Sequence, residues 1–174
     1  MKKVLIVVDY QNDFVDGALG FPDAVNIKPE IIRLIKQFRN EGQHVVFTKD
    51  THYENYMDTV EGKNLPVNHC IKGTKGHEIV EEVNELVLDS LVFEKETFPS
   101  LELGNYLQEL EPHEIYLVGL VSDICVFSNA IIAKAACPNS EVSIIKNASD
   151  SYDKDMETKA YDVIRHLHIK VIEA

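Results

Sequence analysis

The chain has 174 residues and carries 29 Asp and Glu against 17 Lys and Arg, a formal net charge of −12. That balance speaks against a nucleic-acid surface, which needs clustered cations to meet phosphate, and against docking on anionic membranes; charging all 7 His would not reverse it. The length fits one domain of about 100–200 residues, so residues 1–174 read as a single unit, and 45% hydrophobic residues suffice for a packed core.

The elements follow in chain order. Residues 3–8 form a continuous β-branched and aliphatic run, as expected of a strand buried on both faces. It stops at Asp9, too short for a signal-peptide core or a membrane span, and no later run approaches the ~18 apolar residues a span needs. Residues 28–40 place Ile31, Ile32, Leu34, Ile35 and Phe38 on one side of a helix, with Pro29 near its start and Gly42 beyond its end. Val45–Phe47 is the next strand. A helical piece is expected near 76–87, then a third strand at Leu91–Phe93. Residues 101–110 read as a helix, Ile115–Val118 as a fourth strand and 123–136 as a strong helix. Val142–Ile145 is a fifth strand, 155–166 a last helix and His168–Ile172 a last strand. Residues 53–75 form a long irregular stretch, expected to fold over the site as a loop.

Strands alternating with helices predict an α/β fold, three layers deep, around a mostly parallel sheet. Ligands of such sheets bind beyond the carboxyl ends of the strands. That rule selects Asp9, the segment Lys49-Asp50-Thr51-His52, Glu94-Lys95, and the segment from Gly119 to Cys125.

Each of these residues has two readings. Cys125 sits just inside a predicted helix start, where the helix dipole would lower a thiol pKa and backbone N–H groups would face a developing oxyanion; it also fits a small buried apolar residue. Asp9 suits a general base or a turn cap. Lys95 would stabilise charge beside a thiol and a carboxylate, or be a solvated surface cation. Asp50 and His52 project to one side of an extended segment and suit a shared Zn, Mn or Fe, with His69 and Glu61 as further ligands; a D-x-H pair by itself is common without a metal. Cys70, Cys125 and Cys137 are odd in number and widely spaced, with no CxxC pair, which predicts free thiols in a cytoplasmic protein. His77, His113, His166 and His168 read as non-functional.

Taken together, five blocks resemble the isochorismatase-like cysteine hydrolases, and within them the nicotinamidases. The blocks are Val7-Val8-Asp9-Tyr10-Gln11-Asn12-Asp13-Phe14, Thr48-Lys49-Asp50-Thr51-His52, His69-Cys70-Ile71-Lys72-Gly73-Thr74, Lys95-Glu96-Thr97-Phe98-Pro99-Ser100, and Val118 to Val126. The resemblance implies a six-stranded sheet in the order 3-2-1-4-5-6 and a triad of Asp9, Lys95 and Cys125. It also implies an oxyanion hole from the N–H groups of Val121 and Cys125, and a cis peptide at Leu120–Val121. One divalent ion, Zn or else Mn or Fe, falls on Asp50, His52 and His69, with Glu61 a ligand in some members. Phe14 matches an aromatic that packs on the substrate ring, and Phe98 a pocket position often held by Tyr. The chain departs from the family at Leu65-Pro66-Val67-Asn68-His69, where an aromatic-Pro-x-His is usual. Leu65 would then offer an aliphatic wall.

The implied reaction is hydrolysis of nicotinamide to nicotinate and ammonia, a step in pyridine nucleotide salvage, by a homo-oligomer (dimer or tetramer). Three other readings stand beside it. One is the same fold acting on another small amide, a ureido compound or an isochorismate-like substrate. Another is a metal–water hydrolase in which Cys125 is a passenger. The last is a non-catalytic ligand-binding protein.

Overall fold

The structure, a computed structural model, describes residues 1–174. Six strands form one sheet: β1 (Lys3–Val8), β2 (His44–Asp50), β3 (Val92–Lys95), β4 (Glu114–Leu120), β5 (Glu141–Asp150) and β6 (Lys170–Ile172). Their order is β3-β2-β1-β4-β5-β6, and every pairing is parallel. This is the expected order, and the sheet is wholly rather than mostly parallel. Helices occupy both faces: α1 (Asn12–Val15), α2 (Lys28–Asn40), α3 (Val60–Asn64), α4 (Glu81–Asn84), α5 (Leu101–Leu110), α6 (Phe127–Ala136) and α7 (Lys154–His166). None is long and apolar enough to cross a membrane.

The two-residue period of a strand explains the two cores. From β1, Leu5 and Val7 join Ile31, Leu34, Ile35 and Phe38 of α2 on one face. Val4, Ile6 and Val8 join residues of α5, α6 and α7 on the other. A central strand buried on both sides favours apolar side chains at successive positions, as residues 4–8 show without interruption. The helical stripe predicted for 28–40 is the stripe α2 buries, apart from Ile32, which is only half buried. At Gly119, φ is +113°, and a Cβ would lie 2.0 Å from the Val8 carbonyl oxygen. Only glycine lets β4 pass β1 this closely, just before the turn that carries Cys125.

Three local expectations are corrected. The helix expected near 76–87 is a 3₁₀ turn at Lys75–His77 followed by the four-residue α4. Between them, Ile79 bridges Gln11, and Val80 N–H donates to the Tyr10 carbonyl, so residues 78–80 must be extended and no helix begins before Glu81. The third strand is Val92–Lys95 rather than Leu91–Phe93. The helix expected from 123 begins instead as a π-turn, Ser122–Val126, in which Val126 N–H reaches back to the Val121 carbonyl; regular α geometry starts at Phe127.

Candidate active site

Parallel strands deliver their carboxyl ends to one edge, and three of the expected residues meet there. Asp9 leaves β1 with φ +45°, a left-handed conformation that Asp tolerates better than most residues. Val8 pairs with Thr48 in register, which puts Thr48 beside the aspartate: Asp9 N–H donates to the Thr48 carbonyl (3.2 Å), and Thr48 Oγ1 donates to Asp9 Oδ1 (2.7 Å). Lys95 closes β3 opposite Asp50. Its Nζ lies 2.6 Å from Asp9 Oδ2, 3.4 Å from Asp50 Oδ1 and 3.7 Å from Cys125 Sγ, and donates to the Thr97 carbonyl at 3.1 Å. Lys95 and Cys125 are each 5% exposed and Asp9 is fully buried. Lys95 is therefore an internal ion-pair partner and not a surface cation.

Burial sets the resting charges. It pushes the Asp9 carboxyl up, helped by Asp50, and Lys95 only partly offsets it. Burial alone would lower Lys95, but Asp9, Cys125 and Asp50 overcome this and hold the ammonium charged. The Cys125 thiol is pushed well up by burial, against the pull of Lys95 and with the added push of Asp9 and Asp50. The expectation of a helix-lowered thiol is thus corrected. The thiol is buried in a π-turn, and burial beside Asp9 and Asp50 holds it above its ordinary range. The Leu120–Val121 peptide is cis, as the resemblance implies.

A second cluster lies next to the first. Asp50, His52, Glu61 and His69 bring one donor atom each within 4.8 Å of one another. His52 Nε2 is 3.0 Å from Asp50 Oδ2 and 3.4 Å from Glu61 Oε1; His69 Nε2 is 3.3 and 3.7 Å from the same two atoms. His69 Nδ1 donates to the Val67 carbonyl at 2.8 Å, which leaves the Nε2 lone pair facing the carboxylates. Burial alone would lower His52, yet Asp50 and Glu61 raise it to about 9. Lys95 and the two imidazoles hold Asp50 far below the usual carboxylate range despite its burial. The field at the centre of this quartet therefore favours a cation, and two imidazoles with two carboxylates form a donor set suited to Zn, Mn or Fe. Glu61 joins through α3, whose Thr59 cap accepts the Gly62 N–H.

A cavity of about 520 Å³ opens beside the second cluster, lined among others by His52, Tyr53, Tyr56, Glu61, Thr97 and Phe98; Asp9, Lys95, Cys125 and Phe14 do not line it. Thr97, whose carbonyl binds Lys95, joins it to the triad. Phe98 is at its mouth, 41% exposed. Phe14 packs its ring 5.7 Å from that of His69. Leu65 does not line this cavity; its carbonyl accepts Tyr56 O–H at 2.9 Å. Val121 is buried directly before the π-turn. A wider groove of about 810 Å³, near Phe21, Lys28 and Glu81, touches neither cluster.

Sequence reasoning missed several supporting residues. Tyr56 is fully buried and sets its ring 4.6 Å from that of His52 and 5.0 Å from that of His69. Gln11 clamps Asp50 through both ends, accepting its N–H (2.7 Å) and donating to its carbonyl (2.8 Å). Asn129 donates to the Cys125 carbonyl (2.8 Å) from one turn along α6. Thr48 had a signal, because strand alternation puts it on the same side as Asp50. His77, read as non-functional, is buried against Thr51 Oγ1 at 2.9 Å.

Comparison with known proteins decides the family. The isochorismatase domain model matches residues 3–174. The chain belongs to the isochorismatase-domain family. Within that family, a Bacillus subtilis relative called uncharacterized isochorismatase family protein PncA is 34% identical over 146 residues, covering 76% of this chain and 79% of its own. The solved pyrazinamidase of Pyrococcus horikoshii in complex with zinc superposes with a TM-score of 0.88 at 28% identity, covering all of both chains. The nicotinamidase/pyrazinamidase PncA structure from Bacillus subtilis gives 0.88 at 30%, covering 99% of this chain and 100% of that one. N-carbamoylsarcosine amidase from Thermoplasma acidophilum gives 0.84 at 27%, covering 99% and 96%.

Proposed function

We propose that this member of the isochorismatase-domain family is an amidohydrolase that cleaves nicotinamide to nicotinate and ammonia through a cysteine thioester. The observation that carries the reading is the buried contact of Lys95 Nζ with both Asp9 and Cys125, set beside the His- and carboxylate-lined cavity. The likeness to enzymes named nicotinamidase and pyrazinamidase supports the choice of ring amide.

In this mechanism Asp9 takes the thiol proton as Cys125 Sγ attacks the amide carbon, and Lys95 stabilises the thiolate as it forms. The N–H groups of Val121 and Cys125 receive the tetrahedral oxyanion; in comparable sites losing one such donor costs about 3–4 kcal/mol. Asp9 returns the proton to the departing ammonia. It then draws a proton from the water that opens the thioester, releasing the acid and the thiol. Phe14 and Phe98 flank the ring. Asp50, His52, His69 and Glu61 would hold one divalent ion, which when bound supplies a Lewis-acid anchor for a ring nitrogen.

The experiment is an ammonia-release assay with nicotinamide, pyrazinamide and N-carbamoylsarcosine. Nicotinamide should turn over fastest, and Cys125→Ala should fall by at least about a thousandfold. A Cys125→Ala protein that keeps wild-type release would overturn the thioester route. Preference for N-carbamoylsarcosine, whose amidase shares the fold, would overturn the substrate.

A further inference from the structure

One carboxylate outside both clusters has no assigned task and an unusually confined setting. Asp13, in α1, is partly buried, and its carboxylate meets backbone at residues 17–18 of its own turn, at Cys70 and at Gly76. Its Oδ2 accepts the Cys70 N–H at 2.7 Å and its Oδ1 the Ala18 N–H at 3.2 Å. Two glycines make room for it: a Cβ on Gly76 would lie 2.0 Å from Oδ2, and one on Gly17 would lie 2.4 Å from Oδ1. Cys70 itself has φ +47°, outside the comfortable region for a residue with a side chain, so its conformation must be held by its neighbours. Its peptide is held at both ends. The N–H goes to Asp13, and the carbonyl accepts the N–H of His52 at 3.0 Å; Lys72 N–H then donates to the His52 carbonyl at 2.8 Å.

The consequence falls on His69. It reaches the quartet from a long loop, whereas Asp50 and His52 come from the end of β2. That loop meets the end of β2 through the His52–Ile71 bridge, and Cys70, the residue after His69, is pinned on one side to α1 and on the other to His52, while Phe14, next to Asp13, packs on the His69 ring. We infer that Asp13 is a positioning residue for the divalent-cation site, acting through the Cys70 amide to set where His69 Nε2 stands. The inference rests on the cation site of the proposed function and adds to it a residue that touches neither ion nor substrate. A neutral acceptor serves partly. In Asp13→Asn one oxygen can still take the Cys70 N–H, but the amide NH₂ then opposes the Ala18 N–H.

The test measures two quantities on full-length protein: the zinc dissociation constant, by competition with a chromophoric chelator, and the hydrogen-exchange rate of backbone amides over residues 67–74. For Asp13→Ala the zinc constant should rise about 10- to 100-fold, as for outer-sphere partners of other metal ligands, and the Cys70 amide should lose its protection. Asp13→Asn should recover part of both. Gly76→Ala approaches from the opposite side, leaving Asp13 in the chain but displacing its carboxylate, and should reproduce the effect should Asp13→Ala not fold. Wild-type exchange and wild-type zinc affinity in the variants would overturn the role of Asp13 while leaving the cation site standing. Faster exchange in the variants of a chain whose wild type binds no zinc would uphold the clamp and overturn the cation site.

Discussion

The triad and the quartet are neighbours, joined where Lys95 Nζ stands 3.4 Å from Asp50 Oδ1, yet they are built differently. Asp9, Lys95 and Cys125 follow three parallel strands, and the sheet's hydrogen-bond register brings them together. The quartet is half sheet and half loop: Asp50 and His52 come from the end of β2, whereas Glu61 and His69 come from the irregular stretch that follows it. A register error in the sheet would flip whole strands, so the pairing register specifies the first arrangement. The second depends on a few local bonds, such as the Thr59 cap and the Cys70 amide. The geometry of Asp9, Lys95 and Cys125 thus follows from the sheet, whereas that of the quartet depends also on the segment after β2.

The sharpest way to break this contrast is Lys95→Met. It removes the one cation both clusters share and leaves Asp9 and Asp50 buried without it. Loss of stability of about 3–5 kcal/mol is expected, together with at least about a thousandfold loss of turnover, read by thermal melting and ammonia release on the same sample. Next in size is metal removal. Exhaustive chelation should cut nicotinamide turnover by about 100-fold while the Cys125 thiol still reacts with iodoacetamide, and added Zn, Mn or Fe should restore the rate. Glu61→Gln should act on the quartet alone, weakening the ion about tenfold with an unchanged melting temperature. The mildest test is pH. Burial raises the Asp9 carboxyl, and the base works only when deprotonated, so kcat/KM should fall on acidification at a higher pH than an ordinary aspartate would impose; Asp9→Glu should displace that limb.

The same contrast explains what could be read from the sequence. The end of β1 is legible because its residues 4–8 form an unbroken apolar run, so Asp9 after Val8 stands out. Asp50 and His52 are legible through the two-residue period. Glu61 lies eight residues before His69 with no periodic relation to it, and only the folding of α3 brings their ligand atoms to 3.7 Å. The third strand was misplaced because it lies at the sheet edge, where Leu91 and Val92 are exposed and Glu94 sits within the strand. Apolar runs mark strands only where both faces are covered. The missed helix boundaries have different causes: near 76–87 the Gln11–Ile79 bridge overrode a pattern that is helical by itself, and at 123 a local π-turn bond from Val126 N–H to the Val121 carbonyl replaced the first α-turn.

Lys95 ends β3, a four-residue strand on the open margin of the sheet. Opening free energies differ across a structure, and central core strands lie at the high end. The side chain that contacts both clusters is therefore attached to a short edge strand, paired on one side only. Ageing or heated preparations should go silent while their helices remain intact by circular dichroism. Loss of turnover on warming is thus expected to precede loss of helical circular dichroism, because Lys95 belongs to this short margin.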